Sequence, residues 1–421
     1  MYVTITSILI WVIYIISLFF LIFWFLTFLE KGLKDKDLKI KSFPLVTVTI
    51  PAYNEEMGLA ETVNSVMNLK YPKDKIEIII VNDCSKDKTK EIAMQLKRDN
   101  SDRDIKIINH KINQGKGKAM NNALAIAKGE FFVCLDADSV IESNALEKMI
   151  PVFENKNVST VLPLMKVKNP KGIIGKLQWC EYLINLFYKG IMGKVDCVHV
   201  SPGPFSVYRK KALDKVGSFH ENNLTEDLEI TLRMQKAHYK IVQLLNTSVY
   251  TRVPLTWKGF YKQRNRWYKG TMMNMFGYKD MIMNKKYGDF GLIQMPKIFI
   301  SGFLAVFVFF LIVYHLLRPL FKWVYNASFV NFNLDIFLAT TYKSIINFNL
   351  LDLNYTNIIF GVTSLILALT ILKLSFRYTK ERYSNQGWIS VPAYLILYGI
   401  IASGIWLGVF IDLIFRRIQK W

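Results

Sequence analysis

The chain has 421 residues, 52% of them hydrophobic, and carries 54 Lys and Arg against 33 Asp and Glu, for a formal charge of +21. That length accommodates one large domain plus membrane segments, and the apolar residues gather at the two ends, the pattern of a membrane protein with a soluble middle. The basic residues flank apolar runs and no nucleic-acid module is visible, which sets nucleic acid aside as a partner and favours anionic lipid headgroups and a phosphate-bearing substrate. Four cysteines (Cys84, Cys134, Cys180, Cys197) without C-x-x-C spacing, and histidines that do not cluster with them, argue for a reduced cytosolic middle without structural zinc.

In chain order, Ile5 to Leu29 is an uncharged run long enough to cross about 30 Å of hydrocarbon, too long for a signal peptide and without a small-residue cleavage site after it. Lys31, Lys34, Lys36, Lys39 and Lys41 follow, so this flank is expected on the cytosolic side. Residues 1–42 form the first unit and residues 43–254 the second. In the second, Val46–Ile50, Ile76–Val81, Ile105–Ile108 and Phe131–Leu135 read as strands. They alternate with helical segments Met57–Asn68, Lys88–Arg98 and Lys116–Ala127. This spacing predicts an α/β domain with a mostly parallel sheet, whose ligands bind at the carboxyl ends of the strands.

The loops at those ends are polar: Pro51-Ala52-Tyr53-Asn54-Glu55, Asn82 to Asp87, Asn113 to Lys118, and Asp136-Ala137-Asp138. Any one could be an ordinary turn; four at consecutive strand ends point to a site. Asp136 and Asp138, directly after a strand, suit Mg²⁺ or Mn²⁺ bridged to phosphate oxygens. Lys116 and Lys118 open a helix in a Gly-containing loop, a natural diphosphate site, against the alternative of a solvated surface. Further on, Thr225-Glu226-Asp227 offers a carboxylate base and Arg266 a cation for a leaving diphosphate, while Trp267 offers a flat face for a sugar ring. Taken alone, the acidic pair is more often a helix cap than a base, and the Arg-Trp pair more often an interfacial anchor.

Gly172–Lys194 and Leu255–Met283 mix aromatic and charged residues and read as interfacial helices, the latter within a unit spanning 255–290. In the last unit, 291–421, three more spans are expected at Leu292–Leu317, Asn357–Leu374 and Val391–Phe415, about four in all. Alternating them puts Arg318–Thr356 outside and Arg377, Lys380 and Arg382 inside, as the charge rule requires. Arg416, Arg417 and Lys420 then fall outside, against the rule: either one segment is miscounted or the early helices set the topology.

Together, Pro51-Ala-Tyr-Asn-Glu55, Asn82-Asp-Cys-Ser-x-Asp87, Asp136-x-Asp138, Thr225-Glu-Asp227 and Gln263-x-x-Arg-Trp267 resemble the processive family-2 glycosyltransferases: cellulose, chitin and hyaluronan synthases and bacterial poly-N-acetylglucosamine synthase. The resemblance implies a GT-A fold and inversion, giving β-linkages from an α-linked UDP-sugar. By the same resemblance, Tyr53 and Glu55, with Ala52 in the same motif, line a uridine pocket. Asp83 binds the uracil ring, Asp136 the nucleotide and Asp138 the metal. Asp227, beside Glu226, is the base, and Gln263, Arg266 and Trp267 hold the diphosphate and the acceptor end of the glycan. The implied partners are a UDP-sugar, a carbohydrate acceptor, the lipid bilayer and, as an open possibility, a small accessory membrane subunit. The implied setting is the plasma membrane, multi-pass, with the catalytic domain in the cytosol.

Cys84 departs from the family pattern by standing where Gly is commoner, and Thr225-Glu-Asp227 replaces the Gly-Asp-Asp typical of hyaluronan synthases. Ser201 to Arg209 is similar to the acceptor-lining segment of hyaluronan and chitin-type synthases. Two other readings stand beside this one: a non-processive transferase acting on a lipid acceptor, and a non-catalytic transporter or scaffold.

Overall fold

The computed structural model describes residues 5–33, 35, 38–329, 355–383 and 387–417, with isolated positions between 333 and 339. Lys34 and Lys36 of the basic flank, much of the stretch read as the outer loop and Lys420 of the tail lie outside the described residues.

The middle of the chain folds around an eight-stranded sheet of order β3-β2-β1-β4-β7-β6-β8-β5. The four strands read in the sequence form one half: β1 (Val46–Ala52), β2 (Ile76–Asn82), β3 (Asp104–Asn109) and β4 (Phe131–Cys134), all parallel. Helices α2 (Leu59–Met67), α3 (Thr89–Asp99) and α4 (Lys116–Ile126) cover this half. With both faces covered, β2 is buried along its whole length, as its run of Ile and Val demands.

The other half comprises β5 (Val140–Ile141), β6 (Val158–Val167), β7 (Ser206–Arg209) and β8 (Lys240–Thr251). There β4 pairs antiparallel with β7, and β6 pairs parallel with β8. A register shift falls between Leu162 and Leu164, at Pro163, which has no N–H to give the ladder. Short helices α5 (Ala145–Met149) and α7 (Lys210–Val216) connect these strands. Helices α6 (Gly172–Lys194), α8 (Glu226–Lys236) and α9 (Trp257–Gly277) build the far side of the site.

Among the described residues four helices are long and apolar enough to cross a membrane: Ile10–Lys31 within α1 (Ile5–Lys31), Phe290–Phe329 containing α10 (Met295–Phe329), Ile358–Thr379 within α11 (Tyr355–Thr379), and α12 (Gly387–Ile414). Each presents bare apolar side chains, such as Ile15, Phe310, Ile366 and Ile396, the kind of surface that lipid covers. Helix α6 lies between the two regions. One side of it packs on β6 and β8, and the other meets α1, α11 and α12. Trp179, Tyr182 and Leu183 share a buried cluster with Leu372, Phe376 and Val391.

Candidate active site

The site opens at the carboxyl ends of β1, β2 and β4. Ala52 closes β1, buried and in register with Asn82. The loops that follow are laced together. Ser85 Oγ accepts from the Asn54 N–H (3.1 Å), and Asn54 Oδ1 accepts from the Lys86 N–H (2.8 Å). Thr89 Oγ1 accepts from the Glu55 N–H at 2.8 Å.

Asp83 is 4% exposed and faces its own domain. Its Oδ1 lies 2.7 Å from His110 Nδ1 and accepts from the Gln114 N–H at 2.8 Å; its Oδ2 accepts from the Gly115 N–H at 2.8 Å. Cys84 adopts a φ of 61°, so the backbone keeps the left-handed turn a glycine would make, at a cost of about 1–2 kcal/mol. That turn lets Asp83 reach under the Gln114-Gly115 loop and aim α4 at the site.

Lys116, the first residue of α4, joins the two halves. Its Nζ lies 2.5 Å from Asp136 Oδ1 and 3.5 Å from Glu226 Oε1. The charges of Asp136 and Glu226 hold its ammonium well above the usual lysine range despite burial. The Pro202-Gly203-Pro204 backbone passes directly over this pair, since a Cβ on Gly203 would fall on Lys116 Nζ and 2.8 Å from Asp136 Oδ1. Gly58 allows a similar approach: its Cβ would lie 2.7 Å from the Ala137 carbonyl and 3.3 Å from Glu55 Oε2. Burial, with Asp138 and Asp136 nearby, pushes the Glu55 carboxyl up to about 7, and burial beside Asp136 raises Asp138 too. Carboxylates thus outnumber the cations around them.

Among the described residues no group of three or more His, Cys, Asp or Glu converges as a metal cage. The residues fit a cation in another way. Asp136 and Asp138 supply two carboxylates and leave most of an oxygen shell for phosphate.

Across the cleft, Thr225 leads into α8. Asn274 of α9 donates to Thr225 Oγ1 at 3.0 Å. Gly270 lets α9 approach, because a Cβ there would come within 2.5 Å of that same oxygen. Glu226 is 3% exposed. Burial, then the neighbouring Glu226 charge, pushes the Asp227 carboxyl up to about 6, while Lys116 and Arg266 pull it back down. Asp227 Oδ1 also accepts from the Leu228 N–H at 2.8 Å, as a first-turn carboxylate does. Arg266 donates to the Leu224 carbonyl at 2.8 Å, beside the acidic pair.

Arg264 lies between Gln263 and Arg266 and is the residue that motif reasoning passes over. It is fully buried. Its Nη2 lies 2.5 Å from Glu181 Oε2 and its Nε donates to Oε1 at 3.1 Å. Its guanidinium sits 4.2 Å from the Trp267 ring centroid and 4.9 Å from that of Phe260. Gln263 Oε1 accepts from Arg264 Nη1 at 2.5 Å. So one face of Trp267 rests on Arg264, and Gln263 is tied to the same guanidinium. A signal for this was present in Glu181, the one carboxylate of α6, flanked by Trp179 and Tyr182, which calls for a cation if it is buried.

The structure therefore brings Lys116, Asp136, Asp138, Glu55, Glu226, Asp227 and Arg266 to one place. Lys118 stands apart, 3.1 Å from Glu221 Oε1. A cavity of about 800 Å³ adjoins the site, with Tyr53, Gly115 and Leu224 on one side and Lys269, Asp412 and Arg417 among its other lining residues.

The strand ends of the sheet thus carry the Asp136 and Asp138 carboxylates, and the acidic start of α8 faces them across the cleft. Residues 47–217 match the model of glycosyl transferase family 2. The chain is similar to the poly-β-1,6-N-acetyl-D-glucosamine synthase of Staphylococcus epidermidis, 32% identical over 227 residues, 53% of this chain and 54% of the relative. It is also similar to the enzyme of the same name from Staphylococcus aureus strain COL, 30% identical over 240 residues, 56% of this chain and 57% of that one. The chain thus spans little more than half the length of the curated relatives it matches. In fold it is similar to a mannosyltransferase of Pyrobaculum calidifontis solved with GDP-Man and Mn²⁺, with a TM-score of 0.60 and 17% identity over 94% of this chain and 95% of that one.

Proposed function

We propose that this chain is an inverting, membrane-embedded transferase that moves N-acetylglucosamine from a UDP-sugar onto a growing β-linked polysaccharide. In this reading the catalytic domain faces the cytosol and the product leaves through the membrane helices. The observation that carries the reading is Asp227, a half-buried carboxyl pushed up to about 6, set beside Arg266 and linked through Glu226 and Lys116 to Asp136. The similarity to staphylococcal poly-N-acetylglucosamine synthases supports the choice of sugar.

Asp227 accepts the proton of the acceptor hydroxyl as its oxygen attacks the anomeric carbon. The bond from that carbon to the diphosphate oxygen breaks on the opposite side, and UDP leaves with the electron pair. Lys116 and Arg266 provide positive charge towards the departing diphosphate. Asp138 and Asp136 would hold a divalent cation, Mg²⁺ or Mn²⁺, which supplies further charge neutralisation to the diphosphate. Tyr53 and Glu55 belong to the donor pocket. Asp83 serves it indirectly, through the Gln114-Gly115 backbone it fixes. Trp267, braced by Arg264, offers its other face to the glycan.

Purified protein offered a panel of UDP-sugars is expected to release UDP most rapidly from UDP-N-acetylglucosamine and to build a long product. EDTA is expected to abolish turnover, and Mg²⁺ or Mn²⁺ to restore it. Undiminished turnover in EDTA removes the metal role from Asp138, and a product of a single added sugar replaces the polymerase with a transferase acting once on its acceptor.

A further inference from the structure

Helix α12 is long and apolar enough to cross a bilayer, yet both its ends rest on the catalytic domain. At its start, Ser390 hydrogen-bonds the Cys180 thiol, and Val391 shares a cluster with Trp179 and Tyr182 of α6. In its middle, Ile405 packs against Ile174 and Phe260, and the Trp406 ring stacks on Tyr268 of α9 with centroids 4.6 Å apart. At its end, Asp412 Oδ2 accepts from Asn265 Nδ2 at 3.1 Å, and Lys269 donates to the Arg417 carbonyl just beyond.

The two anchor points are themselves joined. Cys180 precedes Glu181, whose carboxylate grips Arg264, the residue before Asn265. A helix leaving this layer to cross the membrane would carry one end about 30 Å away from it. Instead α12 runs along α6 and α9, with Ser390, Val391, Trp406 and Val409 buried against protein and Ile389, Ile396 and Ile414 turned outward. That one-sided pattern suits a helix lying in the membrane with lipid on a single face.

Charge gives an independent argument. A crossing α12 would set Arg416 and Arg417 on the opposite side from Lys31, Lys39, Lys41, Arg377, Lys380 and Arg382. A returning α12 puts all of them on one side, as the distribution of basic residues around membrane spans requires.

We propose that α12 is re-entrant: it enters the membrane from the catalytic side and comes back to it, so the chain crosses three times. Its end, Asp412 to Arg417, then forms a wall of the donor cleft opposite Tyr53 and Gly115. The wall rests on reading that cleft as the donor site; the return of the helix does not.

The test uses the full chain in cells, with single cysteines introduced at two positions and an impermeant thiol reagent. Ser344→Cys, between the second and third spans, is expected to react in intact cells, and Arg416→Cys only after permeabilisation. Labelling of Arg416→Cys in intact cells to the extent of Ser344→Cys overturns the return. For the wall, replacing Arg416 and Arg417 by Ser is expected to raise the donor KM about two- to fivefold per charge, the range of an exposed ion pair, with less effect on kcat. An unchanged KM removes the wall. Failure of the unaltered chain to release UDP from any UDP-sugar defeats the proposed function instead, and leaves the labelling result standing.

Discussion

In the parallel half of the sheet, the polar residues at the strand ends hold one another. Asp83 is committed to His110, Gln114 and Gly115, Asn54 to Ser85 and Lys86, and Asp87 to Glu56 and Thr89. Across the cleft the pattern reverses. Glu226 sits buried with the half-buried Asp227 beside it, the Asp227 carboxyl raised, and Lys116 and Arg266 are the cations acting on them. The first half is a rigid mould built from local loops. The second is a charged arrangement held by distant contacts. A mould suits a ligand that binds and leaves unchanged, whereas a raised carboxyl suits a step in which a proton moves.

The largest expected effect breaks the second half alone. Asp227→Asn keeps shape and removes the proton acceptor, so turnover is expected to fall about 10² to 10⁴-fold, the usual contribution of a general base. UDP affinity should barely change, and thermal stability should hold, because a charge that repels Glu226 has been taken away. Measuring all three on one preparation separates this from a helix-cap role. A lost cap costs about 0.5–2 kcal/mol of stability and leaves activity per folded molecule intact. Near-normal turnover with lowered stability moves the base elsewhere.

Next in size is the brace behind Trp267. Arg264→Met leaves Glu181 buried without its cation, and breaking such a pair from one side costs about 3–5 kcal/mol. Thermal unfolding in detergent should show that loss. Adding Glu181→Leu should recover most of the stability but not polymer formation, since the Trp267 ring has still lost the guanidinium 4.2 Å beneath it. Stability lost equally in the single and the double variant means that the ion pair is not what holds α9 to α6.

The two halves also differ in how far the sequence reveals them. Val46–Ile50 and Ile76–Val81 are short β-branched runs ending in polar loops, and the structure extends each only slightly, to Ala52 and Asn82. Their candidate site residues lie within a few positions of a strand end, so periodicity finds them. In the other half β5 has two residues and β6 contains Pro163, so neither gives a clean alternating pattern. Arg264 meets Glu181 across 83 positions, and Asp412 meets Asn265 across 147. Contacts of that span leave no local periodicity. Lys269 and Arg417 likewise come together at the cleft only through the fold.

A smaller effect follows from the raised carboxyl of Asp227. Its ordinary value is 3.8 and burial beside Glu226 pushes it up to about 6. A base works only when ionised, so kcat/KM is expected to hold above pH 6 and to fall towards tenfold per unit below it. The contribution of the same group to stability runs the other way. The folded state binds this proton more tightly than the unfolded state, so stability from this carboxyl declines as pH rises from its ordinary value to about 6. A pH–rate profile on the low-pH side, alongside unfolding at the same pH values, tests both signs. In Asp227→Asn the residual rate should lose this limb.

The smallest expected effect separates two lysines that the sequence treats alike. Lys116 and Lys118 stand two residues apart at the start of α4, and both were natural candidates for a diphosphate at a helix N-terminus. On a helix, positions two apart point in different directions, and here they diverge. Lys116 turns to Asp136 and Glu226, with 21% of its side chain exposed. Lys118 turns to Glu221 at 3.1 Å, with 37% of the lysine side chain and 38% of that of its partner exposed. An exposed pair is worth about 0.2–1 kcal/mol, so Lys118→Ala should shift donor KM by less than about fivefold and leave kcat near its starting value. Lys116→Ala should lower turnover far more, because it strips the cation from between Asp136 and Glu226. Steady-state kinetics with varied UDP-sugar on both variants decides the point. Equal losses in the two would mean that Lys118 swings from Glu221 onto the donor when it binds, and that the mould half is less rigid than its hydrogen bonds imply.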